Sequence, residues 1–415
     1  MSAAAPNFKR TKFACFFSYL SMSSPFCLPA MLFVTFREVY GISYTLLGTL
    51  VAVNFCTQLS IDLIFSFFTK YFNIRKTLRV MPILTSLGLL TYALVPSLCP
   101  DYAYLGLTIG TVVFSVAAGL SEVLLSPVVA ALPSDNPERD MSLLHSLYAW
   151  GVLTVVLISS AFLYLFGAEN WMYLTIFWAL LPLVSAVLFW ISPIPQMDLT
   201  PASGSKRSGR GVGMALCVAC IFLGSAAENT MTNWISAFME SALQIPKMVG
   251  DILGLAVFAL LLGGGRTLYA KFGKNISNIL LAGMIGAAVC YLAAGLSPNV
   301  VLSMLACILT GFCTSMLWPG TLILMEEKIA GPGVAAYALM AAGGDFRASV
   351  APQMMGAVVD AVAASNWAAK LGAELSLTAE QIGMKVGMVL GAAFPLIGIA
   401  LLIGIKRYFA HRPQL

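Results

Sequence analysis

The sequence predicts an all-α membrane protein in which twelve transmembrane helices form two pseudo-symmetric six-helix bundles. Three observations lead there. Of 415 residues, 59% are hydrophobic and 10% charged, with a mean hydropathy of +0.89. A soluble domain carries about 25% charged residues, so this chain lacks the charge to cover a water-facing globule. The apolar runs are continuous rather than alternating, the mark of spanning helices and not of a barrel. Residues also recur at a fixed offset between the two halves. Together these exclude a soluble enzyme, a nucleic-acid binder and a disordered chain.

A hydrocarbon core about 30 Å thick needs ~20 apolar residues per helix. Such runs place spans at 13–36, 44–70, 76–97, 103–132, 141–167 and 171–192, then at 212–239, 248–272, 276–297, 299–325, 333–365 and 383–405. Lys9, Arg10 and Lys12 precede the first run and no small-residue cleavage site follows, so the first helix is expected to be retained. The stretch 193–211 is the long polar break. Rich in Pro, Ser and Gly and carrying Lys206, Arg207 and Arg210, it reads as a cytoplasmic linker between an N-terminal bundle (1–192) and a C-terminal bundle (212–415). With the N-terminus inside, the cytoplasmic segments also hold Lys70, Arg75, Lys76, Arg79, Arg139, Arg266, Lys271, Lys274, Lys328, Lys406, Arg407 and Arg412. The outside keeps Arg37, Lys247, Lys370 and Lys385. That asymmetry puts both termini in the cytoplasm of a multi-pass plasma-membrane protein. Eight of the nine cysteines lie in apolar segments, and Cys217 and Cys220 have no partners that would make a zinc site, so neither a disulfide framework nor a metal centre is expected.

The halves repeat in register. Gly119 and Pro127 in the fourth span match Gly311 and Pro319 in the tenth at an offset of 192 residues, and the same offset carries Gly151 to Gly343. The basic loop Asn73-Ile-Arg75-Lys76 after the second span has a counterpart, Gly273-Lys274, after the eighth. Two six-helix repeats of the same orientation joined by a linker are a known transporter plan.

Two segments carry a family likeness. The first runs from Gly119-Leu-Ser-Glu122 through Pro127 and on to Leu-His145-Ser-Leu-Tyr148-Ala-Trp150-Gly151. The other is Phe222-Leu-Gly224-Ser-Ala-Ala-Glu228-Asn229 through Asn233-Trp234 to Phe238, followed by Gly265-Arg266. Over essentially the whole chain the plan resembles a major facilitator superfamily transporter, and these segments resemble the fucose–galactose–glucose:proton symporter group, fucose permease-like. The resemblance implies alternating access at a midplane site and a proton-coupling acid on the fourth helix, where Glu122 stands. It also implies a second coupling acid in the first helix, but residues 13–36 contain none. The loop after the second span departs as well, keeping Arg75 and Lys76 but placing Lys70 where the family has an acid.

Ionisable groups in mid-membrane are costly and mark function by default. The deep acids are Asp62, Glu122, Glu228 and Asp345, with Asp360 at the edge of that set; Arg347 is read as the one deep basic residue and His145 as the deep imidazole. Glu122 and Glu228 are the expected proton-coupling groups, Glu122 having a structural bond to a neighbouring helix as its alternative role. Glu228, Asn229 and Asn233 share the seventh span with Trp234, and amides and a carboxylate beside an aromatic ring suit a sugar, whose hydroxyls bond while its C–H face packs on the ring. Helix packing is the other reading of that face. Asn54 and Gln58 form a polar stripe with Asp62 at i, i+4 and i+8. They join His145, Trp150, Trp318 and Tyr337 as candidate substrate contacts, with interhelical bonding open for the first two. Asp62, Arg75, Arg266, Asp345 and Arg347 are candidate gating or ion-pair residues, Arg347 being a candidate partner of Glu122 or Glu228. Trp171, Trp190 and Trp367 fall near span ends, where an interfacial belt is the default.

The expected function is secondary active transport of a small polar solute, first of all a sugar, by proton symport. A proton-driven exporter of drugs or metabolites and a non-transporting sensor of the same fold are the alternatives. No Walker loop, HExxH or nucleophile elbow is present, so no enzyme activity and no cofactor are expected. The coupling ion is H+, with Na+ open. The partners are the solute and the bilayer, with no nucleic acid, and the expected state is a monomer.

Overall fold

The structure, a computed structural model, describes residues 7–42, 44–197, 210–246 and 249–410. Residues 198–209 of the predicted linker, with Lys206 and Arg207, lie outside the described residues, as do Lys247, Arg412 and the side chains of Arg37, Arg347 and Asp360. Most of the described residues are helical, and no strand occurs among them. Nine helices among the described residues are long and apolar enough to cross a membrane. The predicted first, second and eleventh spans bring the set to twelve. The first runs as three consecutive helices, Lys9–Ser21, Ser23–Met31 and Phe33–Tyr40, with Pro29 inside the middle one; the second is Tyr44–Phe68 and the eleventh Gly333–Ala363.

The chain divides into two compact units. The first comprises Met1–Ser203 with Gly331–Asp345, and the second Gly204–Ala330 with Phe346–Leu415. The boundary therefore falls within the eleventh helix. A short helix, Asn366–Leu375, capped by Ser365, lies between the eleventh and twelfth spans; nothing in the hydropathy pattern marks it. The twelfth span opens at Ala379 on a capping box in which Thr378 and Gln381 satisfy each other's backbone N–H groups.

In the first unit, small residues let the third span (Ile74–Leu98) and fourth (Ala103–Ala130) touch backbone to backbone. Gly106 and Gly110 form a small-xxx-small pair facing the third helix. A β-carbon at Gly110 would stand 2.7 Å from the Tyr92 nitrogen, and one at Gly88 would stand 2.5 Å from the Phe114 nitrogen. Around this crossing sits an aromatic core of Phe36, Tyr92, Phe114, Trp171 and Trp178. Trp171 is 2% exposed and edge-on to Phe36 at 4.9 Å, so it is core and not the interfacial belt residue its position suggests. Trp190 (63% exposed) and Trp367 (55%) do face outward. Arg79 lies over the Trp190 ring and donates to the Phe189 and Trp190 carbonyls, closing the end of the sixth span (Trp171–Ile191).

The sequence repeat has a packing counterpart. Gly119 of the fourth span abuts Ile61 and Gln58 of the second, while Gly311 of the tenth abuts Phe258 of the eighth. Each glycine thus seats its span on the equivalent partner within its own unit. The two prolines behave differently. Pro127 stays inside a continuous helix, whereas the tenth span breaks into Val300–Thr314 and Pro319–Lys328.

Replacing Gly110 with Val should destabilise the first unit by about 1–3 kcal/mol, because backbone on the facing helix cannot yield as a side chain can. Thermal unfolding in detergent measures this. Thr108→Ala, on the same helix but clear of the crossing, should cost little and serves as the control.

Candidate functional site

Each unit buries a polar group of its own. In the first, the stripe on the second span is sewn to the fourth: Gln58 Nε2 donates to Asn54 Oδ1 at 2.8 Å, and Ser115 Oγ donates to the same oxygen at 2.6 Å. Gln58 and Asp62 are wholly buried. The bond from Ser115 to Asn54 crosses between helices, whereas the bond from Gln58 stays within the second span. One turn further on, the buried Asp62 lies close to Asp345 and Glu122. The structure thus draws three acids, from the second, fourth and eleventh helices, into one neighbourhood. Asp62 therefore faces other acids and not the basic loop, where Arg75 stands exposed.

Beside them lies a second buried polar group. His145, 2% exposed, has its Nδ1 2.7 Å from the Tyr19 hydroxyl and its Nε2 3.2 Å from Ser126 Oγ. The imidazole thereby ties the fifth span (Pro137–Phe166) to the first and fourth. Tyr148 stands edge-on to Phe26 at 5.8 Å, and Trp150 is half-buried two residues on. Lys12 and Asp140 form an ion pair near the start of the fifth span, with Ser134 donating to Asp140 at 2.7 Å.

In the second unit the centre is Arg266. The sequence counts it among loop charges, and the structure corrects this: it is 3% exposed, inside Val257–Phe272. Its burial follows from its partners. Nη2 donates to both oxygens of Glu228 at 3.1 Å, and Nε donates to the Ser315 carbonyl at 2.8 Å. That carbonyl needs a donor for a covalent reason. Pro319, four residues on, has no N–H to offer it, so the helix cannot close the bond itself. Gly265 makes the approach possible, since a β-carbon there would run into the Ser315 side chain. Arg266 is thus a deep cation that the sequence reading placed in a loop, and it is the ionic partner of Glu228. The helical spacing shows Arg266 in hindsight: it stands more than a turn before the last residue of an apolar helix.

The rest of the seventh-span face (Arg210–Ala237) is partly turned inward on itself. Asn233 Nδ2 donates to the Asn229 carbonyl at 2.8 Å and Thr232 Oγ1 to the Glu228 carbonyl at 2.9 Å. Trp234 lies against Gly356, where an added β-carbon would stand 3.2 Å from the ring. Trp318 is buried at the break in the tenth span, and Tyr337 is buried in the first unit. Sequence reasoning missed Tyr19, Ser115 and Ser126, hydroxyls that look like ordinary helix residues until their partners are known. Among the described residues no group of His, Cys, Asp or Glu side chains is arranged to hold a metal ion.

A chain of twelve apolar helices with buried acids and a buried Arg–Glu pair has the build of a multi-pass membrane transporter. The family model of the Major Facilitator Superfamily matches residues 13–352, and the chain belongs to that superfamily. No curated protein matches it in sequence. Among solved structures it resembles the outward conformation of FucP, with a TM-score of 0.74, 12% identity, and coverage of 96% of this chain and 98% of that one. It also resembles a point variant of the E. coli fucose:proton symporter FucP (TM-score 0.69, 12% identity, 96% and 98% covered). A third resemblance is to the proton:xylose symporter XylE bound to 6-bromo-6-deoxy-D-glucose (TM-score 0.69, 15% identity, 94% and 95% covered).

Removing Arg266 alone, as Arg266→Met, should cost about 3–5 kcal/mol because it strands the Glu228 carboxylate in the bundle. The double variant with Glu228→Gln should recover much of that loss in thermal unfolding. Pro319→Ala restores a donor to the Ser315 carbonyl, and slower amide exchange across residues 315–318 is the expected result.

Proposed function

We propose that this transporter moves a small polar solute, a sugar in the first instance, together with a proton by alternating access. The observation that carries the reading is the placement of Glu122, half-buried on the fourth span, beside the buried Asp62 and Asp345. A carboxyl among other carboxyls is well suited to take up a proton, because neutralising it relieves repulsion inside a medium that screens charge poorly. Proton binding at Glu122 would change the charge of the cluster by one unit, and that change is the means by which a proton gradient drives the cycle. The sequence likeness to the fucose permease group and the two proton symporters of the same fold support the same reading.

Glu228 is the second coupling candidate, consistent with the absence of an acid from residues 13–36. To accept a proton it must release Arg266, and Arg266 also holds the Ser315 carbonyl. Protonation there is thus mechanically tied to the break in the tenth span. Solute contacts are assigned to Asn229, Asn233, Trp234 and Trp318, with Trp150, His145, Tyr337, Asn54 and Gln58 as further candidates. On this reading the protein acts as a monomer in the plasma membrane with both termini cytoplasmic, and the Lys and Arg distribution supports that orientation.

Purified protein in liposomes, offered a panel of labelled aldoses with an imposed pH gradient, tests the reading. At least one sugar should accumulate against its gradient, and accumulation should collapse when a protonophore is added. Glu122→Gln should lose gradient-driven accumulation while sugar exchange across the membrane continues. Accumulation by that variant at the wild-type level would overturn the assignment, and uptake driven by sodium at constant pH would replace the proton.

A further inference from the structure

Outside the polar groups, the ninth and tenth spans bring two thiols together. Cys290 on Ile276–Leu296 and Cys313 on Val300–Thr314 lie next to each other, with Thr310 close by. Glycine builds this approach. At Gly286, one turn before Cys290, an added β-carbon would stand 2.6 Å from the Cys313 sulfur; at Gly283 it would stand 2.6 Å from the Cys313 carbonyl oxygen. The Cys313 side chain therefore lies in a crease of the ninth span whose next turn carries Cys290. Both thiols are half-buried, whereas Cys15, Cys217, Cys220 and Cys307 are wholly enclosed. Cys217 and Cys220 share a helix, but the Cys220 sulfur faces the Thr321 hydroxyl at 3.7 Å. Cys290 and Cys313 are thus a thiol pair set across two helices and open to a small reagent.

We propose that Cys290 and Cys313 are an oxidisable dithiol, a modification site for peroxide-class oxidants that fastens the ninth span to the first segment of the tenth. One sulfur, as thiolate, attacks hydrogen peroxide and becomes a sulfenic acid, releasing one water once the proton is returned. The other sulfur then attacks the sulfenic sulfur, forming the S–S bond and releasing a second water. Two thiols lose two hydrogens, and one peroxide is reduced to two waters. The position gives the bond a consequence. Cys313 lies two residues before Ser315, where the tenth helix opens into the turn at 315–318. Anchoring Cys313 covalently restrains the segment from which that turn departs.

The test uses the full chain purified in detergent and needs no transported solute. After hydrogen peroxide, peptide mapping should find Cys290 linked to Cys313, and amide exchange across residues 315–318 should fall to less than half its rate in the reduced protein. Dithiothreitol should reverse both changes. Cys290→Ser and Cys313→Ala, each confirmed as folded by thermal melt, should show neither. Absence of the linked peptide overturns the proposal. So does a linked peptide with unchanged exchange, or an equal slowing of exchange in the two variants.

Discussion

The guanidinium of Arg266 sits where three helices of the second unit would otherwise come apart. A proline at 319 strips the Ser315 carbonyl of its helical donor, and a carboxylate at 228 enters the bundle with a charge that hydrocarbon cannot solvate. Either defect alone would be costly. Arg is suited to meet both at once, because its planar fork can hold two carboxylate oxygens while its Nε points elsewhere. The distances agree: 3.1 Å to each Glu228 oxygen and 2.8 Å to the carbonyl. The break in the tenth span, the acid on the seventh and the cation on the eighth form one arrangement, and each member makes the others tolerable.

The first unit solves its own polar problem without a described cation at its centre. Asn54 Oδ1 accepts from Gln58 on its own helix and from Ser115 across on the fourth span, and Asp62 lies near Asp345 and Glu122. Interhelical hydrogen bonds in membranes are worth only about 0.6 kcal/mol on average. Their value here is therefore positional: they fix the face of the second helix so that Asp62 meets other acids. Apolar packing holds the scaffold, through the glycine crossing of the third and fourth spans and the aromatic core around Trp171 and Trp178.

The fold is largely legible in the sequence because its signals are local. A run of ~20 apolar residues declares a span wherever it occurs, and the glycine repeat at 119 and 311 proves to seat equivalent helix pairs. What a run of residues does not show is which side of a helix meets a neighbour. Trp171 has the position of a belt residue and the environment of a core residue, because Phe36, distant in sequence, covers it. Arg266 has the position of a loop cation, yet Glu228 and Ser315 draw it inward. The short list of deep acids is readable from charge alone. The gathering of Asp62, Glu122 and Asp345 is not, since it depends on the eleventh helix contributing its first part to the first unit.

The two prolines show where the symmetry of the halves ends. Pro127 and Pro319 occupy equivalent places in the repeat, and each removes one N–H from its helix. At Pro127 the helix continues from Ala103 to Ala130, and the cost stays local. At Pro319 the helix opens, because a buried donor is at hand to take the freed carbonyl and glycine at 265 lets it come close. A proline permits a break in a membrane helix, but a break needs something to satisfy what it exposes. The sequence repeat therefore supplies two identical opportunities, and only the half with an arginine beside its proline has taken one.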